Sequence, residues 1–106
     1  MGDIIKILEK NNWNVRVNDG ILSIEQWSNL GEDLVEEIEY TTKKDFIENF
    51  ERIVENFDVD EHVELWLPLR GKKGVPDVSI RELLKDAEEI EQLYKTTLKE
   101  IKDLEN

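Results

Sequence analysis

The sequence predicts an α+β domain: an N-terminal helix, a three-stranded antiparallel meander, then three helices, the last of them long. Three observations predict it. Apolar residues recur every second position from Trp13 to Tyr40, and at helical spacing before and beyond that stretch. Asp19-Gly20 separates two alternating runs. Thr42, Asp58 and Ser79 each stand just ahead of a helical run, where a side-chain oxygen can accept from an otherwise unpaired backbone N–H.

Asp3 is placed to cap a short first helix whose Ile4, Ile7 and Leu8 share one stripe, and Asn11-Asn12 suits its end. Trp13, Val15 and Val17 then alternate with Asn14, Arg16 and Asn18, and Ile21 to Trp27 read as the returning strand. A two-residue Asp19-Gly20 loop sets Val17 opposite Leu22 and Val15 opposite Ile24, which makes one face of the hairpin apolar. After the Ser28–Asp33 turn, a third strand over Leu34–Tyr40 points Leu34, Ile38 and Tyr40 inward and Glu37 and Glu39 to solvent.

Beyond Thr42, residues Phe46, Ile47, Phe50, Ile53, Val54 and Phe57 form the apolar stripe of a helix that must pack on the sheet. Asp58 and Glu61 have capping-box spacing for a short helix with Val59, Val63, Trp66 and Leu67 on its inner side, ended by Pro68. The segment Arg70–Asp77, RGKKGVPD, is a loop. Ser79 and Glu82 open the last helix, in which Leu83, Ala87, Ile90, Tyr94, Thr97, Ile101 and Leu104 repeat at steps of four and three. Running to about Asp103 it would measure roughly 37 Å at ~1.5 Å per residue, so its last turns are expected to project or to pair with a second copy.

At 106 residues the chain is expected to form one domain over 1–106, with the helix and meander over 1–40 and a helical part over 41–106. Cysteine is absent, which excludes disulfides, thiolate metal sites and cysteine nucleophiles. No apolar run approaches ~18 residues, and the first ten lack a signal-peptide pattern; the expected location is the cytoplasm of a host bacterial cell.

Formal charge is −12, and its distribution is uneven. Residues 32–64 hold thirteen acids against Lys43, Lys44 and Arg52, so that third alone carries −10. Asp45, Glu48 and Glu55 read as one outer face of the Thr42 helix, with Glu51 beside them and Glu37 and Glu39 on the preceding strand; Asp58, Asp60, Glu61 and Glu64 continue the band. Helix positions on successive turns lie ~5–6 Å apart, and DNA phosphates rise ~3.4 Å per strand. Rows of carboxylates can therefore imitate a phosphate backbone and attract lysine- and arginine-lined grooves. Trp27 falls out of phase with the inner set and is expected to be exposed, an anchor for an interface, whereas Trp13 and Trp66 read as core.

Catalytic material is sparse, and no enzyme activity is expected. His62 is the only histidine; it stands near Asp58, Glu61 and Glu64 with no nucleophile beside it, and its ordinary reading is a surface or half-buried helix residue. Asp58, Asp60 and Glu64 lack the glycine and distal glutamate of a calcium loop, and no phosphate-binding glycine motif is present, so neither metal nor cofactor is expected. The Arg70–Lys73 cluster reads as a solvated connector or, alternatively, a phosphate or acidic-surface contact. The overall charge opposes direct nucleic-acid binding.

In charge and element order the chain resembles small acidic anti-CRISPR proteins of bacterial viruses. The segment FDVDEHVELWLPLRGKKGVPDVSIRELLKDAEEIEQL, Phe57–Leu93, looks like stretches in small uncharacterised proteins of viruses and mobile elements of Firmicutes. The first resemblance implies a DNA mimic that blocks a basic nucleic-acid-binding protein, such as a Cas9-type CRISPR effector, by occupying its DNA groove. The acidic band, Glu37 to Glu64, is the expected contact. The alternative is a non-enzymatic assembly module that forms a homodimer through Leu83, Ile90, Tyr94, Ile101 and Leu104.

Overall fold

The structure is a computed structural model and describes residues 1–104. The chain is α+β, with α1 (Gly2–Lys10), β1 (Asn14–Asn18), β2 (Ile21–Trp27), β3 (Asp33–Glu39), α2 (Lys43–Asn56), α3 (Val59–Trp66), a 3-10 turn at Leu67–Leu69 and α4 (Ile80–Asp103). The strands form an antiparallel meander in the order β1-β2-β3. Asp19 and Gly20 take φ of 46° and 78°, the left-handed pair that a two-residue hairpin turn requires, and the register sets Val15 opposite Ile24 and Val17 opposite Leu22. Thr42, Asp58 and Ser79 cap α2, α3 and α4, each accepting from the backbone N–H three residues on at 3.0–3.1 Å. Asp3 is not a cap; Met1 holds that position, and Asp3 lies in the first turn of α1, where an ion pair with Lys43 holds its carboxyl below the usual range.

One sheet face is covered. Leu22, Ile24, Leu34 and Ile38 pack with Ile4 and Leu8 of α1, with Phe46, Phe50 and Val54 of α2, and with Ile90, Tyr94, Leu98 and Ile101 of α4. A second, smaller cluster joins Val63 of α3 to Leu83 and Ala87 of α4. The helix α4 thus serves both. At ~1.5 Å per residue its 24 residues measure about 36 Å, which fits only the longest of the molecule's 42 × 26 × 21 Å dimensions. Its last turns do not project as expected: Ile101 is fully buried, and Lys102 and Glu100 are tied to Glu51 and Lys10.

Between the clusters runs a row of rings. Trp13 stacks on Tyr94 with centroids 5.8 Å apart, Tyr94 meets Phe57 edge-on at 5.6 Å, Phe57 meets His62 at 5.0 Å and His62 meets Trp66 at 6.2 Å. The Trp13 indole N–H donates to Thr97 Oγ1, which donates in turn to the Leu93 carbonyl. Trp13 is core as expected, but Trp66 is only half-buried, because α3 lies over the start of α4 and leaves one side of the indole bordering a cavity.

Strand alternation also turns Glu36 inward, between Leu34 and Ile38, where it accepts the Tyr94 hydroxyl at 3.1 Å. Burial raises the Glu36 carboxyl above its usual range, with the Tyr94 hydrogen bond opposing, and burial together with the neighbouring Glu36 raises Tyr94. The native Glu36 therefore keeps its proton to a higher pH than the unfolded one. Its contribution to stability is complete below the unfolded carboxylate range and is lost as pH rises through the native value. Glu36→Gln, which still accepts from Tyr94, should consequently melt above the wild type at pH 7, with the difference shrinking towards pH 4, as followed by circular dichroism. In denaturant melts, Phe50→Ala should lose about 3–5 kcal/mol by opening a cavity in the larger cluster.

Candidate partner-binding surface

The acids expected to form one band are divided by the fold. Glu37 and Glu39 project from the sheet face turned away from the helices, beside Ser23 and Ile21 of β2. Their neighbours on that open face include Glu25 and Asp33, whose facing carboxyls raise Glu25 above its ordinary value, and Arg16 two strands away from Glu37. Trp27 stands at the end of this face and is 55 % exposed.

On α2 the expected acid row is broken. Lys44, Glu48, Arg52 and Glu55 are all exposed and follow one another at steps of four, four and three, so charge alternates along the outer face. Glu51 lies to one side, paired with Lys102 of α4. Asp45 accepts the Thr41 hydroxyl, which holds its carboxyl below the usual range. An uninterrupted phosphate-like row on this helix is therefore corrected to a mixed-sign face.

The helix α3 differs. Val59, His62, Val63 and Trp66 turn inward, while Asp60, Glu61 and Glu64 lie exposed on the outer side with Asp58 at the cap. From Ile53 to Leu69 the chain contains no lysine or arginine. Among the described residues, none of Glu55, Asp58, Asp60, Glu61 and Glu64 has an ion-pair partner. The carboxylates at the start of α3 also face its positive end, where negative charge is favoured.

The single histidine does not pair with its sequence neighbours. His62 Nε2 lies 3.0 Å from Glu32 Oε1, contributed by the turn before β3, and both side chains are more than four-fifths buried. No hydroxyl or thiol lines the cavity beside this pair. Among the described residues no group of three or more histidine, aspartate or glutamate side chains converges for a metal. The Arg70–Lys73 loop is not a three-cation cradle: Arg70 folds back to donate from Nε to the Leu67 carbonyl at 3.2 Å and from Nη1 to the Val78 carbonyl at 3.1 Å, which leaves Lys72 and Lys73 exposed.

The stripe read as a dimer face is consumed internally. Leu83, Ile90, Tyr94 and Ile101 are at most 5 % exposed, packed against the sheet and the other helices of the same chain, and only Leu104 is open. Pairing through this stripe would require opening the core. Glu32, Glu36 and Asp86 are the polar residues that sequence reading passed over. Signals for two of them exist: Glu36 shares the parity of Leu34 and Ile38, and Asp86 lies three residues after Leu83 and four before Ile90. Glu32 meets His62 across thirty residues of chain and carries no such signal. No family model, curated protein or solved structure matches the chain. Among the described residues no helix is long and apolar enough to cross a membrane.

Ile90→Asp should therefore unfold the protein, with loss of more than about 4 kcal/mol, rather than convert a folded dimer to a folded monomer; light scattering together with circular dichroism separates the two outcomes.

Proposed function

We propose that the chain is an acidic inhibitor that binds the lysine- and arginine-lined groove of a nucleic-acid-binding defence protein and keeps DNA out of it. The observation that carries this reading is the unpaired acidic side of α3 with the end of α2: Glu55, Asp58, Asp60, Glu61 and Glu64 in a stretch free of lysine and arginine. Leaving like charges this close costs a few tenths of a kcal/mol per neighbouring pair, a cost that complementary positive charge on a partner would relieve. Glu37, Glu39 and Trp27 form a second acidic face on the open sheet, secondary because Arg16 lies among its charges; Asp45, Glu48 and Glu51 contribute least, being hydrogen-bonded, interleaved with cations or paired.

Occupancy of a groove needs no chemistry. Recognition of this kind associates rapidly and weakens steeply with salt. The resemblance to anti-CRISPR proteins makes a CRISPR effector the first target to try.

The test is competition between this protein and duplex DNA for a guide-loaded CRISPR effector across a salt series. Binding should weaken as salt rises, and the Glu61→Lys, Glu64→Lys pair should weaken it at least about tenfold, which corresponds to ~1.4 kcal/mol. Glu48→Gln should change it by less than about threefold. Salt-independent competition, or an unchanged affinity after reversal of Glu61 and Glu64, overturns the α3 reading.

A further inference from the structure

Asp86 is the most deeply buried charged residue among the described residues, at 6 % exposure. One of its carboxylate oxygens accepts the Leu30 N–H at 3.2 Å, and among the described residues it has no lysine or arginine within ion-pair distance. Carboxylates are rarely buried to this degree without a cation, because a single neutral hydrogen bond does not return what desolvation costs.

The residue lines a cavity of about 240 Å3 closed by the turn before β3, by α3, by the loop after the 3-10 turn and by α4. Its charged lining consists of Glu32, Asp33, Asp86 and Lys73, with His62 on Glu32, so the site stays negative even when the imidazole carries a proton. An anion would meet three carboxylates. A metal ion would lack convergent ligands. Most of the remaining wall is apolar, with Trp66 its largest member. The volume falls below the ~300–1,000 Å3 that drug-sized ligands occupy, which limits the occupant to a fragment or a single side chain.

We propose that this cavity binds a small planar organic cation, an amidinium or guanidinium, with its charged end on Asp86 and its flat body alongside Trp66. Such a group meets a carboxylate with two parallel N–H donors and retains affinity for an aromatic face. The same chemistry is offered by a free metabolite or by an arginine side chain of another protein. The inference is independent of the acidic side of α3, since neither Glu61 nor Glu64 lines the cavity.

Three tryptophans in three settings make the test direct. Titration of the wild-type protein with benzamidine, followed by the indole N–H signals, should move Trp66 saturably and leave Trp13 and Trp27 in place; neutral benzamide should move none. A capped Gly-Arg-Gly peptide forms the second arm: binding at least as tight as benzamidine assigns the site to an arginine side chain, and binding by benzamidine alone assigns it to a small molecule. Asp86→Asn still accepts from Leu30 and should weaken binding at least tenfold. Glu32→Gln, in the turn before β3, should weaken it severalfold and serves if the Asp86 variant fails to fold. Glu61→Lys with Glu64→Lys should leave benzamidine binding unchanged. An unmoved Trp66 signal with both probes, equal binding of benzamide, or wild-type affinity in a folded Asp86→Asn protein overturns the proposal.

Discussion

The structure depends on the burial of one stripe of α4. Its first turns close the smaller cluster through Leu83 and Ala87, and its later turns cover the sheet through Ile90, Tyr94, Leu98 and Ile101. Full burial of such side chains contributes about 1.5–3 kcal/mol each before entropy is counted. Among the described residues no other element contributes buried residues to both clusters, so α4, together with the His62–Glu32 contact, sets the position of α3 relative to the sheet. The contact between Tyr94 and Glu36 sits at the join and ties the helix to β3 by a polar bond inside an apolar layer.

That arrangement decides where charge can gather. Helices on one side of the sheet and an open face on the other separate the acids of β3 from those of α3, however close they stand in sequence. On α2, the turn-to-turn spacing that brings Glu48 and Glu55 onto the outer face brings Lys44 and Arg52 there as well. The short α3, without a lysine or arginine of its own, presents its exposed carboxylates without an ion-pair partner among the described residues. The net charge of the middle third is thus a weaker guide to surface potential than the helical phase of each residue within it.

Much of the fold was legible because its signals are local. The hairpin register follows from Asp19-Gly20, and the starts of α2, α3 and α4 follow from Thr42, Asp58 and Ser79, all features that act within four residues. The candidate sites were legible only in part. Exposure of Trp27 follows from strand parity, whereas the half-burial of Trp66 depends on how much of α4 lies beneath α3. The pairing of His62 with Glu32 and the burial of Asp86 beside Leu30 join residues thirty or more positions apart, and no periodicity encodes such meetings. The long apolar repeat of α4 resembles a self-pairing seam in isolation; the sheet, itself in need of cover, claims it first.

A three-stranded sheet keeps two rims, and rims invite other chains to add strands. Here β3 carries Asp33, Glu37 and Glu39 along its open side, and Asn49 of α2 already donates to the Glu39 carbonyl, occupying one acceptor of that rim. The other rim, β1, is five residues long, with Asn14, Arg16 and Asn18 on its solvent side. Stacking of copies edge to edge along β3 would bring like charges together in a row. Charge along that edge disfavours self-pairing of the half-covered sheet, whatever partner the acids meet.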